Sequence, residues 1–218
     1  MKFKTKVLPL KWTYISGTGS PKYGKQFTSE DPFDFEYKAS AIVDAKQAKE
    51  IQKQINEFWR ENKPAKIVKP TTTFLKPEMV ESDSVDEYGA KIKKPSGNYV
   101  LSASTNSVFK TKEGIVKSNI AILNSKGQKF PEIHPLVKGE VGVGDGSLGV
   151  IHGDMAITEF EGKAYVKLYL KGVQFAKFIP YEGGGIDAED LGVEDDGTNL
   201  ESDGCDVENI SDTEKPAL

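Results

Sequence analysis

In Tyr165-Val-Lys167-Leu-Tyr169-Leu-Lys171, flat aromatic rings alternate with ammonium groups, and the same mixture recurs in Phe109-Lys110-Thr-Lys112 and Phe160-Glu-Gly-Lys163. A ring offers a π face on which another planar ring can stack, and a neighbouring lysine offers a point charge for an anionic group such as a phosphate. Each residue taken singly has a plainer reading. An outward tyrosine can pack under a helix, and hairpin lysines are commonly just solvated. A further basic group, Lys91, Lys93 and Lys94 beside Tyr88, reads first as a solvated loop.

Other candidates for chemistry fall away. The run Gly142-Val-Gly144-Asp-Gly146-Ser-Leu-Gly149 lacks the Gly-Lys-Ser/Thr ending of a phosphate loop, and no helical pattern follows it, so it reads as a turn entering a strand. His134 and His152 are the only histidines and have no cysteine or His-x-x-x-His companion, which favours structural roles for both. The carboxylate pairs Asp83/Asp86 and Asp195/Asp196 lie in polar segments where they would be solvated. No nucleophile elbow supports a Ser-His-Asp site. No catalytic residue, metal site or cofactor is therefore expected, and a hydrolase or nuclease would need clusters that the chain does not offer.

The charge is unevenly divided. Of the 29 lysines and arginines, 28 precede Ile186, against 21 of the 33 carboxylates, so the body carries a net +7 and residues 186–218 carry −11. Arg60 is the only arginine. Lysine suits phosphate contact, whereas bidentate reading of guanine edges favours arginine, so binding to a nucleic-acid backbone without sequence choice is the better expectation. Taken with the ring and lysine segments, this favours single strands. The acidic segment could compete for the basic surface or recruit a basic partner.

The elements that must position these residues follow from periodicity. Phe33, Phe35, Tyr37, Ala39, Ala41 and Val43 alternate with polar residues, as in a half-buried strand. Asp44 then caps a helix whose apolar residues Ala48, Ile51, Ile55, Phe58 and Trp59 share one face, ending at Asn62 and Pro64. Lys69 to Ser84 reads as a connector with one short strand. Strands follow at Asn98 to Phe109, Ile115 to Leu123, Ser147 to Phe160 and Lys163 to Phe178, the last two joined by Glu161-Gly162. Five or six strands with one helix favour a small closed barrel. All 21 aromatic residues lie at or before Tyr181, so residues 1–185 are expected to hold the core and residues 186–218 to be disordered, with Gly183-Gly184-Gly185 as the hinge. The single cysteine, Cys205, fits a reducing compartment. The N-terminus lacks the apolar core of a signal peptide, and no apolar run approaches the roughly 20 residues that span a bilayer.

The ordered motifs resemble the single-stranded DNA-binding proteins of short-tailed phages. Tyr14-Ile15 is followed by a Lys22-Tyr23-Gly24 turn, the strand and helix run from Phe33 to Asn62, and Asn124-Ser125-Lys126-Gly127-Gln128-Lys129 comes next. Then come Gly144-Asp-Gly-Ser147, Val166-Lys-Leu-Tyr-Leu170, Val173 and the triple glycine before acid. The resemblance implies a mainly β protein, an OB-like five-stranded β-barrel with one amphipathic helix and a disordered acidic C-terminal tail. It implies sequence-nonspecific binding of single-stranded DNA in phage replication, recombination and repair, in the cytoplasm of the infected host, without enzymatic activity. It also implies dimers in which the tail occupies the partner's groove, and tail contacts through residues 186–218 with replisome proteins such as DNA polymerase. Two departures stand out: the chain ends Lys215-Pro216-Ala217-Leu218 where relatives end on an aromatic, and Asn98 to Phe109 carries no lysine. The expected DNA-binding residues are Lys110, Lys112, Lys117, Lys163 and Lys167 for phosphates, with Phe160, Tyr165, Phe109 and Tyr99 for stacking. The competing expectation is a phage protein-interaction or assembly factor whose barrel binds protein.

Overall fold

The computed structural model describes residues 1–85 and 87–181; Asp86, the triple-glycine hinge and the acidic segment expected to be disordered lie outside the described residues. Strand alternation shapes the first third of the body. β1 (Lys2–Lys4) and β2 (Leu8–Tyr14) are followed by the short β3 (Ser20–Pro21) and by β4 (Phe35–Val43). In β4 the alternate residues Phe35, Tyr37, Ala39, Ala41 and Val43 are buried, while Glu36 and Lys38 keep solvent contact on the other face.

Helix α1 (Ala45–Asn62) begins where sequence predicts. The Asp44 carboxylate accepts from the Gln47 backbone N–H at 2.7 Å, and the Gln47 side-chain oxygen accepts from the Asp44 N–H at 3.3 Å, a reciprocal capping box. Ala48, Ile51, Ile55, Phe58 and Trp59 are its buried face, packed towards the sheet. Trp59 satisfies its indole N–H on the Val68 carbonyl at 3.1 Å, which ties the chain leaving α1 back against it.

The remaining strands are β5 (Thr72–Thr73), β6 (Leu75–Val85), β7 (Lys91–Asn106), β8 (Val108–Thr111), β9 (Gly114–Lys117) and β10 (Ala121–Leu123). After the single-turn α2 (Pro135–Lys138) come β11 (Gly142–Val143), β12 (Leu148–Phe160), β13 (Lys163–Lys177) and β14 (Pro180–Tyr181). Five of these strands pair in a path that returns on itself: β2 with β4, β4 with β7, β7 with β13, β13 with β12, and β12 with β2. Only β7 with β13 is parallel. The interior of this ring is filled by Leu10, Ala41, Leu101, Ile151, Leu168 and Leu170, and Ile55 of α1 joins the same core. Closure between β12 and β2 requires glycine at Gly149, where a Cβ would come within 2.9 Å of both the Gln174 carbonyl and Leu10.

The expected connector from Lys69 to Ser84 holds the short β5, but from Leu75 onward it is instead the first arm of a long hairpin. β6 pairs antiparallel with β7, in a register that sets Val80 against Lys94 and Glu81 against Lys93. Ser82 donates to the Ile92 carbonyl at 2.7 Å, and Lys91 pairs with Glu81 at 3.3 Å. Lys91, Lys93 and Lys94 therefore sit on a strand. Beyond Leu75 no residue of β6, nor of β7 up to Gly97, is buried, so there is no buried face to print an apolar alternation in the sequence. The expected strand Ile115 to Leu123 is likewise two, β9 and β10.

Ile55 is fully buried between α1 and the sheet. Ile55→Ala should destabilise the protein by about 2–5 kcal/mol, whereas Lys53→Ala on the solvent face should stay within about 0.5 kcal/mol; urea unfolding midpoints of the two variants check this.

Candidate nucleic-acid interface

The outward faces of β4, β7 and β13 meet in an open groove of about 490 Å³. Its floor is β7, whose outward residues Ser102 and Ser104 are small. These positions are low because of local sequence: in Val100-Leu-Ser-Ala-Ser-Thr-Asn106 the core takes Leu101 and Ala103, leaving hydroxyl groups on the opposite face. Ser102 and Ser40 share a hydrogen bond at 2.9 Å, which satisfies both hydroxyls beneath the groove. On one side stand Tyr165, Lys167 and Tyr169 of β13, with the tyrosines half-buried at their bases and Lys167 exposed. On the other side stand Lys38 and Glu36 of β4. Thr72, Thr73 and Lys76 close the end nearest α1.

Register explains the assembly. Tyr169 lies beside Ser104, and Ser104 lies beside Lys38, so an aromatic, a hydroxyl and an ammonium form one row across three strands. Tyr165 lies beside Thr72 because β5 pairs parallel with β13 there. The lining thus offers two tyrosine rings, three lysines and one carboxylate around a floor of hydroxyl groups, with the ring of Phe74 buried at its edge, a surface able to stack planar bases and neutralise phosphates.

Of the residues singled out by sequence, Tyr165 and Lys167 line this groove. Phe160 and Lys163 face each other at the tip of the β12–β13 hairpin, where Phe160 is 64% exposed. Glu161 and Gly162 turn that hairpin with φ of 49° and 72°, the left-handed pair that a two-residue turn demands. Phe109, Lys110, Lys112 and Lys117 belong to a separate hairpin of β8, β9 and the turn between them, which begins two residues after Asn106 of the groove. Phe109 and the lysines are exposed there, and Lys117 lines a different cavity with Tyr37, Ser107 and Gly17. Tyr99 is on the core side of β7, packed against the buried cluster, and takes no part in the groove.

Lys38 and Lys76 were not singled out by sequence, and Tyr169, although it stands in the interleaved segment with Tyr165 and Lys167, was not among the expected DNA-binding residues. Tyr169 shares the outward period of Tyr165, and Lys38 is an outward residue of the most regular strand in the chain, so both faces were legible separately. Their meeting depends on which strands neighbour, and that is set by the ring. The serine-rich stretch that carries no cation is the floor that gives the rings their height.

His134 serves structure, and neither histidine lines the groove. His134 caps α2 by accepting from the Leu136 N–H at 3.2 Å, and its ring packs on Phe130 with centroids 4.5 Å apart. His152 lies opposite Lys4 of β1. Burial holds its pKa below the usual histidine value, the Lys4 charge adds to this, and the nearby Gln174 side chain opposes it. Among the described residues no group of three His, Cys, Asp or Glu side chains could hold a metal ion. Among the described helices none is long and apolar enough to cross a membrane.

No family model and no curated protein matches the chain. Its fold is that of gp2.5, a single-stranded DNA-binding protein encoded by bacteriophage T7, with a TM-score of 0.51 and 16% identity over 91% of this chain and 98% of that one. The single-stranded DNA-binding protein from bacteriophage Enc34, solved in complex with ssDNA, matches with a TM-score of 0.49 and 17% identity over 84% of this chain and 89% of that one. The T7 protein is a phage single-stranded DNA-binding protein, the class that the sequence motifs resemble.

His152 supplies a test of local packing. Because its folded pKa is depressed, its contribution to stability is complete above the unfolded value and is lost as pH falls below it, when the unfolded chain takes up the proton first. Between about pH 7.5 and pH 5, the melting temperature of the wild type should fall more than that of His152→Gln; carboxylate contributions common to both cancel in the comparison.

Proposed function

We propose that this chain is a non-enzymatic, sequence-nonspecific single-stranded DNA-binding protein acting in phage DNA replication, recombination and repair. The observation that carries the proposal is the groove: Tyr165 and Tyr169 rise beside a floor of small hydroxyl residues, with Lys38, Lys76 and Lys167 around them. The strand order β2-β4-β7-β13-β12, closed on itself with a parallel contact between its third and fourth members, supports an OB-like barrel. In such folds the second and third strands face the oligonucleotide, and here those are β4 and β7. The fold shared with T7 gp2.5 supports the same reading.

Stacking in this groove falls to Tyr165 and Tyr169, and phosphate contact to Lys38, Lys76 and Lys167. Phe160 and Lys163 on one hairpin, and Phe109, Lys110, Lys112 and Lys117 on the other, extend the path beyond its ends. Residues 1–185 form the binding domain. The acidic residues 186–218 compete for the lysines and offer a handle to replisome partners such as a polymerase, in a protein that dimerises. The net −11 of that segment against the +7 of the body supports this regulation.

Fluorescence anisotropy with labelled single-stranded and duplex DNA tests the proposal. Tyr169→Ala should weaken single-strand binding about ten-fold. Lys38→Gln and Lys167→Gln should each reduce the log-log salt slope by about 0.7. Residues 1–185 alone should bind more tightly than the full chain, chiefly at low salt. A failure of both forms to prefer single-stranded over duplex DNA would refute the proposal and leave the protein-binding assembly factor.

A further inference from the structure

Two non-glycine residues among those described hold a positive φ, Glu161 at 49° and Trp12 at 48°. Glu161 has a local reason in its hairpin turn. Trp12 lies inside β2, where no turn asks for it. The register shows what the conformation does: Lys11 lies beside Ser40 and Tyr14 beside Lys38, so β2 takes three steps where β4 takes two. In regular pairing residue 12 would oppose Ala39 and point into the core. The bulge gives the inward position to Thr13, 5% exposed, and turns Trp12 out to 52% exposure. Left-handed bulge positions usually belong to glycine, and an outward tryptophan gains little from folding. A strained conformation kept in order to expose a large ring points to a ligand for that ring.

The surroundings say which ligand. Tyr14 and Phe27 are exposed beside one another with ring centroids 6.3 Å apart, and the Lys11 ammonium lies 5.9 Å from the Trp12 ring. Tyr14 also stands at the end of the row that crosses the groove: Tyr14, Lys38, Ser104 and Tyr169 lie side by side on β2, β4, β7 and β13. Three interstrand steps separate the two aromatic ends, about 14 Å along the sheet. We propose that Trp12, Tyr14 and Phe27 form a second base-stacking station, occupied by the same DNA strand after it leaves the groove across Lys38. This rests on the function proposed above. Rings are the main hold here: of the nearby lysines, Lys25 is paired with Asp34 at 3.0 Å, Lys22 is tied to the Phe33 carbonyl, and Lys11 lies against the Trp12 ring.

The chain has two tryptophans, and Trp59 is buried with its indole N–H bonded to Val68, so Trp12 is the ring positioned to report contact. The full chain is titrated with oligothymidylates graded across roughly 4–16 nucleotides, following tryptophan emission and anisotropy together. Emission should be quenched only by the longer oligonucleotides. Trp12→Gly, which suits the local φ, and Tyr14→Ala should each weaken binding of long oligonucleotides about ten-fold while leaving short-oligonucleotide affinity and the salt slope unchanged. Trp12→Gly should not lower the melting temperature. Wild-type affinity of both variants for long oligonucleotides, without quenching in the parent, would overturn the station and leave the groove's function standing. Equal weakening at every length with a lowered melting temperature would make the ring structural, and loss of self-association without loss of DNA affinity would make it a contact between copies; either overturns the proposal. If the parent binds no oligonucleotide of any length, the proposed function fails first and the station falls with it.

Discussion

Four of the five pairings in the ring are antiparallel, and the fifth, between β7 and β13, is parallel and confined to Ser104 and Tyr169. Parallel neighbours cannot be joined by a tight turn, so a long excursion must separate them. Between Asn106 and Lys163 the chain inserts the β8–β9 hairpin, β10, α2, β11 and the whole of β12 before β13 can return beside β7. Below that contact β7 and β13 part, and β5 fills the space by pairing with Tyr165 and Val166. The junction sets a tall ring beside a small hydroxyl residue. Closure of the ring and depth of the groove are therefore one constraint: a large side chain at Ser104 would fill the groove and crowd the contact that closes the sheet.

That dependence accounts for what sequence could and could not reveal. α1 was legible almost residue by residue, because its cap, its buried face and its end are local features. The alternation in β4 and β13 was equally legible, since each buries one side. The β6–β7 arm was not, because it projects with both faces in water and leaves no period to read. The groove was half legible. Tyr165 and Lys167 could be found from the outward face of one strand, but Lys38 joins them only through the order in which strands neighbour, a property of the whole ring.

Tyr99 and Tyr169 show how finely that order matters. Both are half-buried tyrosines on long strands next to the groove. Tyr99 has the parity of Leu101 and Ala103 and therefore packs inward, while Tyr169 has the parity opposite to Leu168 and Leu170 and stands outward. Strand period separates them once the buried set of each strand is known. Composition treats them alike.

The same parity argument bears on selectivity. The hydroxyls of Ser102 and Ser104 can each donate or accept, so they do not choose among base edges, and the cations around them are all lysines. The only arginine, Arg60, occupies the last turn of α1, where a cation complements the helix dipole, and it does not line the groove. Bidentate reading of guanine thus has no instrument there. What the groove can distinguish is shape: rings that stand above a low floor accept flat groups presented edge-on to the sheet, and a duplex keeps its bases stacked on one another. On the function proposed here, preference for single strands would arise from the height difference between Tyr169 and Ser104 more than from any hydrogen bond.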